Sequence, residues 1–405
     1  MSHRILDTQS KPLWNFDYQP RTRIVFGVNV ADRAGALASE IGAKKVLLVT
    51  DPGIVAAGHA ARVSGVLESA GLEVTFYDKA RENPTTECVN SCVAVAKAAG
   101  VDTILGLGGG SAMDTAKGCN FLLTNGGRMQ DYWGVGKATK PMLPLIAIPT
   151  TAGTGSECQS AALIVDEETH QKMACLDPKA AARIAILDPT LTLSQPPRVT
   201  ACTGIDALAH ALETAVTKTR NPLSAMFSRE AFRLCISAFS EVLLAPKNLE
   251  ARARMLLGAA MAGLAIENSM LGAAHAAANP LTAHYGLVHG QAVGLMLPAV
   301  IRFNAADPES RRAYAELASV SDANSANDGH AQTCEELAAR IDALLGLAQM
   351  PRSLAECGVE RDAVATLAEE ASRQWTATFN PRTVTKEDFA KLYAETFKRR
   401  PVPVT

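Results

Sequence analysis

Asp206 and His210 stand four residues apart in Gly204-Ile205-Asp206-Ala207-Leu208-Ala209-His210-Ala211-Leu212-Glu213, a strongly helical stretch. An i, i+4 pair shares one helix face, so a carboxylate and an imidazole there can reach the same ion. Further on, His275, His284 and His289 gather around Asn279-Pro280. Pro280 forbids one straight helix through all three. The spacing therefore predicts that His275 ends one helix and that His289, just before Gly290, begins the next. One carboxylate with imidazoles is a set suited to Fe(II), Zn(II), Mn(II) or Ni(II), with no thiolate beside it to favour a structural zinc. A lone histidine is most often a satisfied core or surface residue. It is the combination that points to a metal.

Two glycine-rich turns offer a different chemistry. Asp102 to Leu105 reads as a buried strand running into Gly106-Leu107-Gly108-Gly109-Gly110-Ser111, with a helix opening at Ser111. Glycines let the backbone approach a diphosphate closely, and the helix start adds free N–H groups and a positive dipole end. A second loop, Pro149-Thr150-Thr151-Ala152-Gly153-Thr154-Gly155-Ser156-Glu157, follows the apolar run Leu145 to Ile148 and places hydroxyls for phosphate or ribose. Asp51, at the end of the run Lys45 to Val49, can accept the ribose hydroxyls of adenosine. A carboxylate there repels a 2′-phosphate, which favours NAD over NADP. The bland alternatives are a tight turn, a βα turn rich in capping residues and a turn aspartate ahead of Pro52.

These side chains need a scaffold. The first half alternates strand-like runs (Arg23–Phe26 as an edge strand, Lys45–Val49, Leu72–Tyr77, Asp102–Leu105) with helical stretches over Ile54–Ala70 and Thr85–Ala99. That rhythm predicts a parallel sheet covered by helices on both faces. From Pro196-Pro197 onward helical periodicity dominates, over Thr200–Thr217, Pro222–Leu244, Leu249–Ala265 and Gln332–Leu345. The fold class expected is α/β plus all-α: a parallel-sheet nucleotide-binding domain over 1–195, then an all-helical metal- and substrate-binding domain over 196–405. The polar segment Asp322–Gly329 reads as an exposed loop, and the cleft between the domains is the expected active site.

Composition narrows the partners. The 405 residues carry 39 basic and 41 acidic side chains, a formal net charge of −2, so no polybasic surface exists for nucleic acid or an anionic membrane. The nine cysteines form no CxxC pair and read as reduced, buried small hydrophobes. The N-terminal residues lack an apolar signal segment, and the most apolar run, Met255–Ile266, is too short to span a bilayer. A cytoplasmic protein is expected. Its Ala-rich helical half predicts self-association as a homodimer or higher homo-oligomer.

The strings GGGSAMDTAK (Gly108–Lys117), IPTTAGTGSE (Ile148–Glu157), TGIDALAHALE (Thr203–Glu213) and the pair His275…His289-Gly290 together resemble the iron-dependent (group III) alcohol dehydrogenase family. The motifs occur in family order from Thr22 to about Phe303. The resemblance implies a dehydroquinate-synthase-like fold and a metal-dependent, NAD(H)-linked alcohol dehydrogenase or aldehyde reductase. Related activities on the same fold are those of glycerol dehydrogenase, maleylacetate reductase and hydroxyacid-oxoacid enzymes, and more distantly a dehydroquinate-synthase-like lyase. It implies Asp206, His210, His275 and His289 as ligands of Fe(II), with Zn(II) or another divalent ion able to substitute. It further implies NAD contacts at Asp51, Asn83, Gly109, Gly110, Ser111, Thr150, Thr151 and Thr154, with Asp114 and Lys172 nearby. Where many members have a histidine four residues after the third ligand, this chain has Asn279. An amide is neither acid nor base near neutral pH, which leaves water, a ribose hydroxyl or His284 to carry a proton. Met270, Leu271 and Ala274 are expected to line a modest apolar substrate cavity.

Overall fold

The computed structural model describes residues 15–169, 171–320 and 330–397, so the segment Asp322–Gly329 lies outside the described residues. In the first half the elements are β1 (Arg23–Phe26), α1 (Ala34–Glu40), β2 (Lys45–Val49), α2 (Pro52–Ala56), α3 (His59–Ser69), β3 (Glu73–Tyr77) and α4 (Thr86–Ala99). They continue with β4 (Thr103–Gly108), α5 (Gly110–Asn125), β5 (Gly134–Val135), β6 (Leu145–Pro149), β7 (Ala161–Val165), β8 (Lys172–Leu176) and β9 (Ile184–Leu187). Six strands form one sheet in the order β1-β9-β6-β4-β2-β3, every neighbouring pair parallel, with β1 at an edge as expected.

The central strands are apolar because both faces are covered. Leu47, Val49, Ile104 and Ala147 pack with side chains of α4 and α5, while Val46, Leu48, Leu105 and Ile148 pack with those of α1 and α3. Chain order leaves β2 first for β3 on one side and then for β4 on the other. The carboxyl ends of β2 and β4 therefore flank a switch point, the crevice where open α/β sheets take ligands. A small second sheet, β5-β8-β7, was not anticipated; it pairs β7 and β8 antiparallel. The stretch Ile54–Ala70 is two helices rather than one, because Gly58 adopts φ 81° between α2 and α3.

The second half is helical: α6 (Pro197–Thr214), α7 (Pro222–Leu244), α8 (Leu249–Glu267), α9 (Ala273–Tyr285), α10 (His289–Asn304), α11 (Pro308–Ser319), α12 (His330–Leu347), α13 (Val364–Ser372) and α14 (Lys386–Thr396). Asn221 and Asn248 cap α7 and α8 through their side chains. His275 does not end a helix as expected. It lies in the first turn of α9, and Pro280 sits inside that helix. Proline there removes the bond to the Ala276 carbonyl, and helix packing on both sides outweighs that loss. The core of this half runs without a break to Ala152, Ala185 and Leu187 of the first. Among the described residues no helix is long and apolar enough to cross a membrane.

Candidate metal and dinucleotide site

Helix α6 is buried on nearly every side, and its buried Asp206 and His210 share one face. Around Asp206 Oδ1 stand His210 Nε2 at 3.4 Å, His275 Nε2 at 3.5 Å and His289 Nε2 at 4.0 Å. The His210 and His275 rings stack with centroids 4.9 Å apart, and His289 tilts against His275 at 5.3 Å. Among the described residues, Asp206, His210 and His275 bring ligand atoms that all lie within 4.8 Å of one another. His289 approaches from the first residue of α10, and 29% of its side chain is exposed.

These separations test whether a cation fits. Donors bound at about 2.1 Å in a tetrahedron lie about 3.4 Å from one another, which is what Asp206 shows with His210 and His275. Asp206 Oδ1 and His275 Nε2 are both buried without a hydrogen-bond partner. Two buried polar atoms left unpaired so close together are costly unless something joins them. The outward nitrogens are occupied instead: His210 Nδ1 lies 3.3 Å from the Gly153 carbonyl, and His275 Nδ1 is hydrogen-bonded to Glu213. Both rings are thus turned with Nε2 inward, the usual arrangement of metal-binding imidazoles. A divalent cation fits.

The electrostatics agree. Burial opposes ionisation of Asp206, yet the three imidazoles hold its carboxyl far below the ordinary range. Burial lowers His210 and pulls His289 down to about 3, so both are neutral, lone-pair-bearing rings near pH 7. Burial would lower His275 too, but Glu213 and Asp206 lift it to about 9. A cation at Nε2 would take the place of the proton those two carboxylates attract.

The predicted dinucleotide residues meet because register aligns the strand ends. Val49 pairs with Gly106, and Gly108 with Pro149, so Asp51, Gly109 and Thr150 leave three adjacent strands side by side. Asp51 fills the capping role considered for it. Its Oδ1 caps α2, accepting from Gly53 and Ile54 at 2.9 and 3.1 Å, while Oδ2 faces Gly108. A Cβ on Gly109 would stand 3.3 Å from Thr151, and one on Gly110 only 2.8 Å from Thr154, so the two loops close on each other through missing side chains. Ser111 lies in the first turn of α5. Asn83 adopts φ 51° and accepts from Lys172 Nζ at 3.2 Å. Burial pushes Asp114 up to about 6 against the pull of Lys117 and Lys172.

Some expectations do not meet at the site. His284 is bound to Glu370 at 2.8 Å with 46% of its side chain exposed. Asn279 donates to Gln374 Oε1 at 2.9 Å. Ala274 is fully buried and lines no open cavity, whereas Met270 and Leu271 are partly exposed just before α9. Sequence reasoning also passed over two residues inside its own motifs. Lys117, wholly buried, donates to the Ser156 carbonyl at 2.7 Å, to Ser156 Oγ at 2.9 Å and to the Ala161 carbonyl at 2.9 Å. Glu213, 2% exposed, contacts the His275 ring. Each makes its contacts with residues at least 39 positions away, which no local pattern marks.

The chain matches the family model described as iron-containing alcohol dehydrogenase over residues 20–189 and that family's C-terminal model over 200–397. It is 34% identical to an NAD-dependent methanol dehydrogenase of Bacillus methanolicus, across 93% of this chain and 98% of that one. It is 31% identical to a sulfoacetaldehyde reductase of Bilophila wadsworthia, across 93% and 97%. Its coordinates superpose on a crystal structure of 1,3-propanediol oxidoreductase with a TM-score of 0.91 at 32% identity, covering 95% of this chain and all of that one.

Proposed function

The chain belongs to the iron-containing alcohol dehydrogenase family, and we propose that its Asp206, His210, His275 and His289 hold the divalent metal, Fe(II) by preference, of an NAD(H)-linked alcohol dehydrogenase. The observation that carries this reading is the meeting of three inward Nε2 atoms on one buried, unpartnered carboxylate oxygen. When bound, the metal supplies Lewis acidity to an alcohol or carbonyl oxygen and the nicotinamide supplies or takes the hydride. The chain's own residues do the positioning. Gly109, Gly110 and Ser111 offer backbone N–H groups to a diphosphate at the start of α5. Thr150, Thr151 and Thr154 face that turn from the second loop. Asp51 Oδ2 would take the adenosine ribose and reject a 2′-phosphate, with Lys172, bonded to Asn83 and beside Asp114, as a further contact.

The substrate is a small alcohol or aldehyde. Asn279, one helical turn after His275 and bonded to Gln374, offers no mobile proton. The division of labour falls at 195/196, with the dinucleotide on the sheet side and the metal among the helices. Nine free thiols support a reducing, cytoplasmic setting. Edge strand β1, with Phe26 41% and nearby Val28 55% exposed, supports assembly as a homodimer or larger homo-oligomer.

The test is His275→Ala together with an aldehyde panel on protein reloaded with Fe, Zn, Mn or Ni. Loss of turnover by at least about a thousandfold with NADH binding kept is expected. Retained turnover, or a wild type equally active without metal, overturns the reading.

A further inference from the structure

We propose that Glu213 is a positioning residue for the metal site: its carboxylate fixes His275 in the tautomer that presents Nε2 inward and pins the helix start carrying that ring. This rests on the reading of Asp206, His210, His275 and His289 as ligands. Glu213 sits on α6 one turn beyond His210, 2% exposed, with both oxygens turned to α9. Oε1 accepts the Ala274 N–H at 2.7 Å, and Oε2 meets His275 Nδ1. Helix α9 has no side-chain cap of its own, so its first N–H groups need partners from elsewhere. Asn380 Oδ1 takes the Ala273 N–H at 3.2 Å, and Glu213 takes the next. Asn380 is itself gripped by Asn304 at 2.8 and 3.1 Å. At Gly272 a Cβ would stand 2.9 Å from Asn380 Oδ1 and 3.1 Å from Glu213 Oε1, so the contact admits no side chain.

An ionised carboxylate only accepts hydrogen bonds, so Nδ1 of a neutral His275 carries the proton and Nε2 keeps its lone pair. That Nε2 is the orphaned atom 3.5 Å from Asp206 Oδ1. His210 receives the same service from the Gly153 carbonyl, a backbone atom. Glu213 is a side chain doing this work, within reach of mutagenesis. In Glu213→Gln the amide oxygen can serve only one of the two donors, and the NH2 group opposes the other.

The experiment uses full-length protein carrying Co(II) or Zn(II), as wild type, Glu213→Gln, Glu213→Asp, His275→Ala and the double variant Glu213→Gln/His275→Ala. The readouts are the metal dissociation constant against a competing chelator, the Co(II) absorption spectrum and NADH binding. Glu213→Gln is expected to weaken metal binding by about 10–100-fold, to alter the Co(II) spectrum and to leave NADH binding intact. Glu213→Asp keeps the charge and recovers part of the loss. Added to His275→Ala, Glu213→Gln is expected to cost less than about threefold more, because its partner is already gone. Equal metal affinity in wild type and Glu213→Gln, or fully additive losses in the double variant, overturns the proposal while the ligand reading stands. A wild type that takes up no stoichiometric metal overturns both. Should Glu213→Gln fail to fold, wild-type metal affinity in Glu213→Asp overturns the proposal by itself.

Discussion

On the proposed reading Asp51 is both structural and discriminating. Oδ1 caps α2 and Oδ2 faces the glycine turn, so removing the charge need not remove the cap. Asp51→Asn keeps an acceptor for Gly53 and Ile54 and ends repulsion of a 2′-phosphate. The kcat/KM ratio of NADPH to NADH should rise by about tenfold or more with little change in Tm, since 1.4 kcal/mol of lost repulsion is tenfold. An unchanged ratio removes Asp51 from cofactor choice. Glu157 makes a different prediction. It is 2% exposed, its Oε1 has no partner, and burial pushes it up to about 7 despite its own backbone N–H and Lys117. A folded value above the unfolded one means full stability at acid pH, lost as pH rises towards 7 at up to about 1.4 kcal/mol per unit. Glu157→Gln should therefore gain Tm over wild type between pH 5 and pH 8, and a difference flat across that range would contradict the assignment.

Elements bring these residues together by close approach of backbones. A Cβ on Gly290 would overlap the Cys202 carbonyl oxygen of α6 and stand 3.3 Å from Asp206 Cβ, so α10 lies directly on the helix that carries the aspartate. Gly290→Ala must push the two helices apart and take His289 with it. The variant should purify with less than half the metal of wild type by elemental analysis, and a full complement would show that α10 can yield without losing its ligand. At this scale the sequence was uneven in what it disclosed. The glycine turns, the Asp206–His210 pair and the start of α10 at His289 were legible, because each is local spacing on one element. Helix α9 was not, since tertiary packing overrode the proline rule at Pro280. Glu213 escaped for a related reason: its partner is 62 residues away, and no local pattern marks a contact between helices.

Across the whole molecule, the site draws on both halves. Gly153 of the second loop supplies the carbonyl beside His210, while its own Cβ position lies 2.5 Å from Thr203 Cβ, so the loop is seated on α6. A metal that binds only the folded chain stabilises it by mass action, about 4 kcal/mol at a thousand times Kd. Stripping with a chelator should lower Tm by several degrees, and anaerobic Fe(II) or Zn(II) should restore it. An unmoved Tm would mean the folded helices do not hold the ion. A Cβ on Gly155 would lie 2.5 Å from the Ala259 carbonyl, and its own carbonyl abuts Gly263 of α8. That seam is bare main chain on main chain, with no rotamer to swing aside. A side chain at Gly155 or Gly263 would therefore have to drive the second loop off α8, because neither backbone can step aside.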